Sequence, residues 1–383
     1  MSTWYKAIAA VISVLTLVTA CVGAEPTGTG MPPTVASPPP AATGIPPTVA
    51  SPPPPTTIPT ATPTDEGRAD GLSEEQAATL GSLEQVDDYP LYTMQYYGAY
   101  NQGAPSTERG RWSVRTNVSA VSPAWACSLF AALGDADHMP YGRNFDWEYS
   151  PALLLFTDPP DGYASVSMVD IAYLGFEGAS AGTLADLPLA RRRSLLNTPF
   201  WPFDGMNEHG LTVGMAAVPG SEMPHSGDKE TVDSLGVIRE MLDHARDVDE
   251  AIAILESHNI SWNGGPPLHY LIADPSGRAV LVEFYGGEMV SIPNETAWHV
   301  ATNHLRTTAD ETGPSGCWRY DEIHRRLTET EGWLTAPEAM TLLGGVAQEN
   351  TQWSVVYGMS SGQVTVVMGQ EYEEAHTFCL GPH

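Results

Sequence analysis

The sequence predicts an α+β fold, because hairpin-connected strands and helices occur in separate groups along the chain. Strands are expected at residues 268–292, where apolar runs alternate with turn residues, and a second hairpin is expected at residues 353–369. Apolar residues recur at helical spacing in other regions, and helices are expected at residues 232–246, 249–257, 318–327 and 335–343. This grouping favours packed layers and disfavours alternating βαβ units.

Three helix starts carry capping residues, whose side chains accept hydrogen bonds from the first helical turn. The predicted caps and their partners are Ser73 with Gln76, Asp247 with Glu250, and Thr335 with Glu338. The first of these helices is followed by an aromatic run, YPLYTMQYYGAY, which is expected to pack in a core rather than form a binding stripe.

The N-terminal region is expected to be an export and anchoring segment. Residues 1–20 hold Lys6 and then the apolar run AIAAVISVLTLVTA, a signal-peptide layout. The residues VTA before Cys21 resemble a bacterial lipobox, whose cysteine is acylated and becomes the mature N-terminus. The alternatives are a plain secretory signal or an uncleaved anchor. We expect an extracytoplasmic protein, lipid-anchored to a bacterial membrane through Cys21.

A proline-rich linker follows at residues 21–66. The sequences GMPPTVASPPP and GIPPTVASPPP repeat at residues 30–40 and 44–54, and such dense proline favours an extended spacer. Residues 67–126 are expected to be a propeptide-like or retained N-terminal segment, and residues 127–383 are expected to form the catalytic domain.

Composition excludes several classes of function. The formal net charge of −29, from 17 Lys and Arg against 46 Asp and Glu, argues against nucleic acid as a partner. No CxxC, CxxH or HExxH spacing occurs, so neither a metal nor another cofactor is expected. Lysine chemistry would rest on Lys229 alone and is discarded. Cys317 and Cys379 either pair or both stay reduced, and the oligomeric state is left open.

Cys127 is the predicted nucleophile. A thiol attacks as the thiolate, so it needs a base or a nearby cation. If the chain is cleaved between Ala126 and Cys127, the cysteine's own α-amine can act as the base. The stretches CSLFAAL and YGRNFDW are expected to pair as a hairpin that brings Arg143 and Asp146 back beside Cys127. Strict alternation puts those two residues on opposite faces, so a bulge or strand end is expected around Asn144.

Five motifs in order carry a family resemblance. They are the pattern C-S-x13-G-R-N-F-D-W from Cys127, then DGMNEHGLTVGM, LHYLIADPSGRAVLVEF, ATNHL and CWRYDEIHRRL. Together they resemble the choloylglycine hydrolase and penicillin V acylase family of N-terminal-nucleophile (Ntn) cysteine amidases. The related isopenicillin N acyltransferase and N-acylethanolamine acid amidase branches are similar too. The resemblance implies a four-layer αββα sandwich, with two antiparallel sheets between helices.

The resemblance also implies roles for site residues. They are Cys127 as nucleophile and base, Arg143 and Asp146 as charged partners, Asn207 and Asn303 as oxyanion donors, and Arg319 as a second arginine. The structural alternatives are an ion pair for Arg143 and Asp146, turn or cap roles for the asparagines, and a surface position for Arg319. In the bile-salt enzymes the cysteine directly follows the initiator methionine. Here self-cleavage after Ala126 has to be assumed, and the aromatic content of residues 67–126 favours their retention.

The expected function is hydrolysis of linear amide (C–N) bonds in small N-acyl compounds. Acyl transfer to another amine is the first alternative, since both reactions share the acyl-enzyme. Two more distant alternatives are a serine hydrolase using Ser180, which lies in the G-x-S-x-G sequence GASAG, and a non-catalytic ligand-binding lipoprotein.

Overall fold

The computed structural model describes residues 71–100, 126–177, 183–220, 222–262, 265–308 and 316–381. The predicted signal peptide, Cys21, the proline-rich linker and Ser180 lie outside the described residues. Among the described residues, no helix has the length and apolar character needed to cross a membrane.

The described residues contain seventeen strands. In chain order they are β1 (Glu84–Asp87), β2 (Leu91–Tyr96), β3 (Ala126–Ala132), β4 (Pro140–Asp146), β5 (Ala152–Thr157), β6 (Ser165–Asp170), β7 (Asp204–Asn207), β8 (Thr212–Ala217), β9 (Thr231–Asp233), β10 (Asn259–Ser261), β11 (Leu268–Ala273), β12 (Ala279–Tyr285), β13 (Glu288–Pro293), β14 (Trp298–Ala301), β15 (Thr351–Gly358), β16 (Gln363–Met368) and β17 (His376–Cys379).

Two large sheets contain most of these strands. One has nine strands in the order β1-β2-β5-β6-β7-β8-β11-β12-β13, and the other has six in the order β14-β3-β4-β15-β16-β17. Every pairing in them is antiparallel except that of β2 with β5. Both predicted hairpin regions are confirmed, as β11 to β13 and as β15 with β16. Strands β9 and β10 form a separate parallel pair.

Helices cover the outer faces of both sheets. In chain order they are α1 (Glu74–Gly81), α2 (Gly236–His244), α3 (Val248–Ser257), α4 (Trp318–Glu329) and α5 (Ala336–Gly345), with 3₁₀ helices at Ile171–Leu174 and Leu189–Phe200. Helices α2 and α3 pack on the nine-stranded sheet, and α4 and α5 pack on the six-stranded sheet. The two sheets face each other through β3 and β8. The predicted α+β class and αββα layer order are confirmed.

The three predicted helix caps are also confirmed. Ser73 and Thr335 form capping boxes with Gln76 and Glu338, and the Asp247 side chain accepts from the backbone N–H of Glu250. Since each cap satisfies an otherwise unpaired N–H group, these residues fix where the helices begin.

The two sheets approach closely near the middle of β8. A Cβ atom built on Gly214 would lie 2.6 Å from Leu129 Cδ2 and 2.6 Å from the Tyr141 hydroxyl oxygen. The Tyr141 hydroxyl donates to the Leu271 carbonyl at 2.9 Å and so joins the sheets directly. This contact anchors the β3–β4 hairpin, which carries Cys127, against the opposing sheet.

Residues 71–100 are built into the nine-stranded sheet. Strand β2 pairs with β5 from Leu91 opposite Ala152 to Tyr96 opposite Thr157. The predicted packing of the aromatic run is confirmed for Tyr92, Tyr96 and Tyr100, which are buried in the main core, and Tyr89 packs against it, whereas Tyr97 is exposed.

The structure places Cys317 and Cys379 far apart. Neither is in a disulfide. Cys379 ends β17, one edge of the six-stranded sheet, whereas Cys317 contacts Thr302, which follows β14 at the other edge. Of the two options that the sequence left open, the structure has the reduced form.

Candidate active site

The predicted hairpin brings Cys127 and Arg143 together on one face. Strands β3 and β4 pair with Cys127 opposite Phe145 and Leu129 opposite Arg143. Because side chains alternate along a strand, Arg143 points to the same side as Cys127. Arg143 Nη2 lies 3.9 Å from Cys127 Sγ, and the arginine is fully buried.

Asp146 lies on the other face, and the expected bulge at Asn144 is wrong. Strand β4 pairs with β3 without interruption as far as Asp146. The irregularity lies in β15 instead, between Thr351 and Trp353. There the Thr351 hydroxyl reaches Asp146 at 2.5 Å. No bulge in β4 is needed, because the cluster around Cys127 is assembled from both faces of the sheet.

Asn303 contacts the backbone nitrogen of Cys127. Its Oδ1 accepts from Cys127 N at 2.6 Å, and its Nδ2 donates to the Ala217 carbonyl at 2.8 Å. The contact links Cys127 to the loop after β14 and to the end of β8.

Arg319 contacts the same residue from helix α4. Its Nη1 donates to the Cys127 carbonyl and, at 2.8 Å, to Ser128 Oγ, while Nη2 donates to Asn303 Oδ1 at 3.0 Å. The carboxylate nearest to Arg319 is that of Asp146, whose Oδ2 lies 3.9 Å from Arg319 Nη1. Arg319 is only 6% exposed, because it shares the inward face of α4 with the buried Ile323 and Leu327.

The structure does not bring Asn207 to this cluster. Its Nδ2 donates to the carbonyls of Leu242 and Ala245, at 3.1 and 2.7 Å. Its Oδ1 accepts from the backbone N–H groups of His209 and Leu211. Asn207 therefore ties the β7–β8 turn to the end of α2, which corrects the oxyanion role that the resemblance implied.

Asp204 and Tyr357 are site residues that the sequence motifs did not single out. Asp204 accepts hydrogen bonds from Arg143 Nη1 and from the Tyr357 hydroxyl, and all three residues are fully buried. Burial lowers the pKa of the Arg143 guanidinium, but attraction to Asp204 outweighs it, so the arginine stays charged. Asp204 is the first residue of the motif DGMN, and this position is the sequence feature that could have identified it as a site residue.

Burial keeps the Cys127 thiol protonated in the intact chain. It raises the pKa of the thiol, and the neighbouring Asp146 carboxylate raises it further, while Arg143 acts in the opposite direction. Burial likewise raises the pKa of Asp146, despite hydrogen bonds from Thr351 and Gln348. The thiol is therefore weakly nucleophilic until a base takes its proton.

A pocket opens beside Cys127. Its lining is mainly aromatic and aliphatic, and includes Phe145, Trp147, Tyr173, Phe203, Met215 and Leu268. Arg143 and Asp146 are the charged residues that border it. Among the described residues, no group of three or more His, Cys, Asp or Glu side chains is placed to hold a metal ion.

Cys317 is expected to be the more reactive thiol at neutral pH. Partial burial opposes its ionisation, but hydrogen bonds from His304 and Thr302 outweigh burial and lower the thiol pKa to about 6. Iodoacetamide labelling of Cys317, followed by peptide mass spectrometry, should therefore be half-maximal near pH 6 and nearly constant above pH 7. Labelling of Cys127 in the uncleaved protein should still rise above pH 8. Faster labelling of Cys127 than of Cys317 at pH 7 would contradict this order.

Comparisons with known proteins agree with the motifs. Residues 202–372 match the family model of acyl-coenzyme A:6-aminopenicillanic acid acyl-transferase. A mutant of the conjugated bile acid hydrolase from Clostridium perfringens aligns with a TM-score of 0.48 and 14% identity, covering 66% of this chain and 92% of that one. Penicillin V acylase from Agrobacterium tumefaciens aligns with a TM-score of 0.44 and 16% identity, covering 66% and 86%. No curated protein sequence matches the chain. The family match confirms the predicted resemblance: over residues 202–372, the chain is similar to an acyl-transferase family, one of the branches that the motifs resemble.

Proposed function

We propose that the protein is an Ntn cysteine amidase that hydrolyses linear amide bonds of small N-acyl compounds. One observation carries the proposal: three predicted residues contact three different atoms of Cys127. Arg143 faces its Sγ, Asn303 accepts from its backbone nitrogen, and Arg319 donates to its carbonyl. A buried structural cysteine requires none of these contacts.

Self-cleavage would prepare the enzyme. The Cys127 sulfur attacks the Ala126 carbonyl carbon, the C–N bond breaks, and the thiol proton passes to the departing nitrogen. Water then hydrolyses the resulting thioester, which frees the sulfur and leaves a carboxylate on Ala126. The freed amine remains next to Asn303 Oδ1, which lies 2.6 Å from that nitrogen in the intact chain.

Amide hydrolysis would reuse the same atoms. The α-amine of Cys127 takes the thiol proton, and the thiolate attacks the substrate carbonyl to form a thioester while the amine product leaves with that proton. Water then releases the acid. Asn303 Nδ2 donates one hydrogen to Ala217 and retains a second. We assign that second N–H to the developing oxyanion, because stabilising this charge often accelerates acyl transfer more than any other single effect.

The pocket lining supports an apolar acyl group. Trp147 and Tyr173 are partly exposed beside Cys127, and Phe145 and Phe203 form the deeper wall. Apolar groups gain roughly 25 cal/mol for each Å² buried. Acyl chains with aromatic or aliphatic ends should therefore be preferred over charged ones.

Retention of the N-terminal segment and anchoring through Cys21 belong to the same proposal. Residues 71–100 supply β1 and β2, and the Tyr100 hydroxyl lies 2.6 Å from the Asp243 carboxylate. After cleavage, these contacts would hold the catalytic chain to a lipid-anchored segment without a covalent link. Radiolabelled palmitate that fails to label a Cys21-containing fragment would refute the anchor.

Acyl transfer is the second candidate, and the acyl-transferase family match favours it. The two reactions differ only in whether water or another amine resolves the thioester.

A panel of amides with apolar acyl groups should be incubated with processed protein, with and without an added primary amine, and the products identified by mass spectrometry. Hydrolysis predicts free acid in both samples, whereas transfer predicts a new amide. The Cys127→Ala variant should give neither product, and equal turnover by that variant would favour Ser180 or another nucleophile.

A further inference from the structure

A buried carboxylate in the nine-stranded sheet has no role in the chemistry above. Glu283 lies in β12, and His269 lies beside it in β11; both side chains are completely buried. Ionisable residues are rarely buried in this way unless their contacts compensate for the loss of water. The contacts of Glu283 therefore indicate its role.

Glu283 holds the loop that follows β14. Its Oε1 accepts from Arg306 N at 2.7 Å, and its Oε2 accepts from Thr307 N at 2.8 Å and Thr307 Oγ1 at 2.6 Å. Burial alone would raise the pKa of Glu283, but hydrogen bonds from His269 and the loop lower it to about 2. The carboxylate is therefore ionised at neutral pH.

His269 orients this carboxylate. Its Nδ1 lies 3.2 Å from Glu283 Oε1. An ionised carboxylate can only accept hydrogen bonds, so His269 Nδ1 carries the proton. The imidazole thus fixes Glu283 from the strand side, while Arg306 and Thr307 fix it from the loop side.

The other end of the same loop contacts the nucleophile. Asn303 precedes Arg306 by three residues, a stretch that spans at most about 11 Å. Asn303 Oδ1 accepts from Cys127 N at 2.6 Å, and the Asn303 side chain also contacts Arg319 and Ala217. A shift of Arg306 and Thr307 would therefore move Asn303 relative to Cys127.

We infer that Glu283 is a positioning residue for the reaction: by holding Arg306 and Thr307, it sets the distance between Asn303 and the Cys127 nitrogen. The effect on turnover rests on the proposed amidase function, but the effect on position does not. A displacement of about 1 Å at a catalytic group can cost ~100-fold in rate.

The first test compares Glu283→Gln with a matched control, Asp274→Asn. Asp274 is also buried and accepts three hydrogen bonds, one from Val248 N at the start of α3 and two from Ser276 N and Ser276 Oγ, but at the opposite end of β11 from His269. Both changes are made in unprocessed Cys127→Ala protein, and hydrogen exchange at the backbone amide of position 127 is measured. Glu283→Gln should speed this exchange at least tenfold, and Asp274→Asn should leave it unchanged. Equal exchange in both variants overturns the inference, whether or not the protein hydrolyses amides.

The second test uses processed protein. Glu283→Gln should lower kcat for an amide substrate about 10- to 100-fold with KM within about threefold, while Asp274→Asn keeps both. Thr307 is exposed, and Thr307→Val removes the hydrogen bond from its hydroxyl to Glu283. This variant should lose less kcat than Glu283→Gln, and Thr307→Ser should keep the wild-type kcat. Faster exchange with an unchanged kcat would overturn the inferred effect of Glu283 on the reaction. Absence of Cys127-dependent hydrolysis in the wild-type protein would refute the proposed function, and the exchange measurement would then decide the inference alone.

Discussion

Replacing Cys127 with alanine should leave the chain uncleaved and abolish amide hydrolysis. In the proposed mechanism the Cys127 sulfur attacks both the Ala126 carbonyl and the substrate, so its loss should lower the rate by roughly 10⁴-fold or more. Intact mass and N-terminal sequencing should show one polypeptide, whereas wild-type protein should give a chain beginning at Cys127. That chain should co-elute with the fragment containing residues 71–100, because β2 is paired within the nine-stranded sheet.

Cys127→Ser provides the matched control, since a hydroxyl can still cleave the precursor slowly but attacks amides far less well than a thiolate. Partial processing with little turnover is the expected result. Wild-type protein that hydrolyses its amide substrate while residues 126 and 127 remain joined would contradict the proposed mechanism, because no α-amine would then be present on Cys127.

Replacing Asp204 with asparagine should cause the largest loss of stability among the site residues. Arg143 and Asp204 form an ion pair in which both side chains are fully buried. Removing one partner leaves an uncompensated buried charge, which typically costs about 3–5 kcal/mol. Denaturant unfolding, measured in the uncleaved Cys127→Ala background, should show this loss. Self-cleavage of the otherwise wild-type protein should slow as well, because Arg143 would no longer be held beside the sulfur.

Asp249→Asn is the control for this effect. Asp249 pairs with Arg278 through two hydrogen bonds, but both side chains are exposed, and exposed pairs contribute little to stability. The free energy of unfolding of the Asp249→Asn variant should therefore be almost the same as that of the parent Cys127→Ala protein. Similar denaturant midpoints of unfolding for Asp204→Asn and Asp249→Asn would show that the buried ion pair does not stabilise the protein.

Short-range sequence patterns were enough to predict a layered α+β fold, whereas the αββα layer order came from the family resemblance. Capping pairs such as Ser73 with Gln76 act within one helical turn, and the hairpin from Cys127 to Asp146 depends on neighbouring strands. The resemblance also led to Asn303 and Arg319, which lie 176 and 192 residues from Cys127. Spacing alone would not have paired them with it, because no local rule relates residues so far apart.

The errors had physical causes as well. Strict alternation correctly placed Arg143 and Asp146 on opposite faces, but the expected bulge assumed that all partners must reach Cys127 from one side. In the structure, the irregularity is in β15, a strand from the far end of the chain. The oxyanion role implied for Asn207 was wrong because its side-chain amide joins the β7–β8 turn to α2 and its backbone N–H donates to the Leu211 carbonyl.

The sequence by itself determined the α+β class, the hairpin that presents Cys127, and the residue types that such chemistry needs, since periodicity and turn residues act between near neighbours. Only the tertiary structure decided which buried charges meet: Asp204 with Arg143, and Glu283 with His269 and the loop after β14. Those pairings depend on how two sheets stack and which faces point inward, and the desolvation of a charge depends on its whole surroundings rather than on adjacent residues.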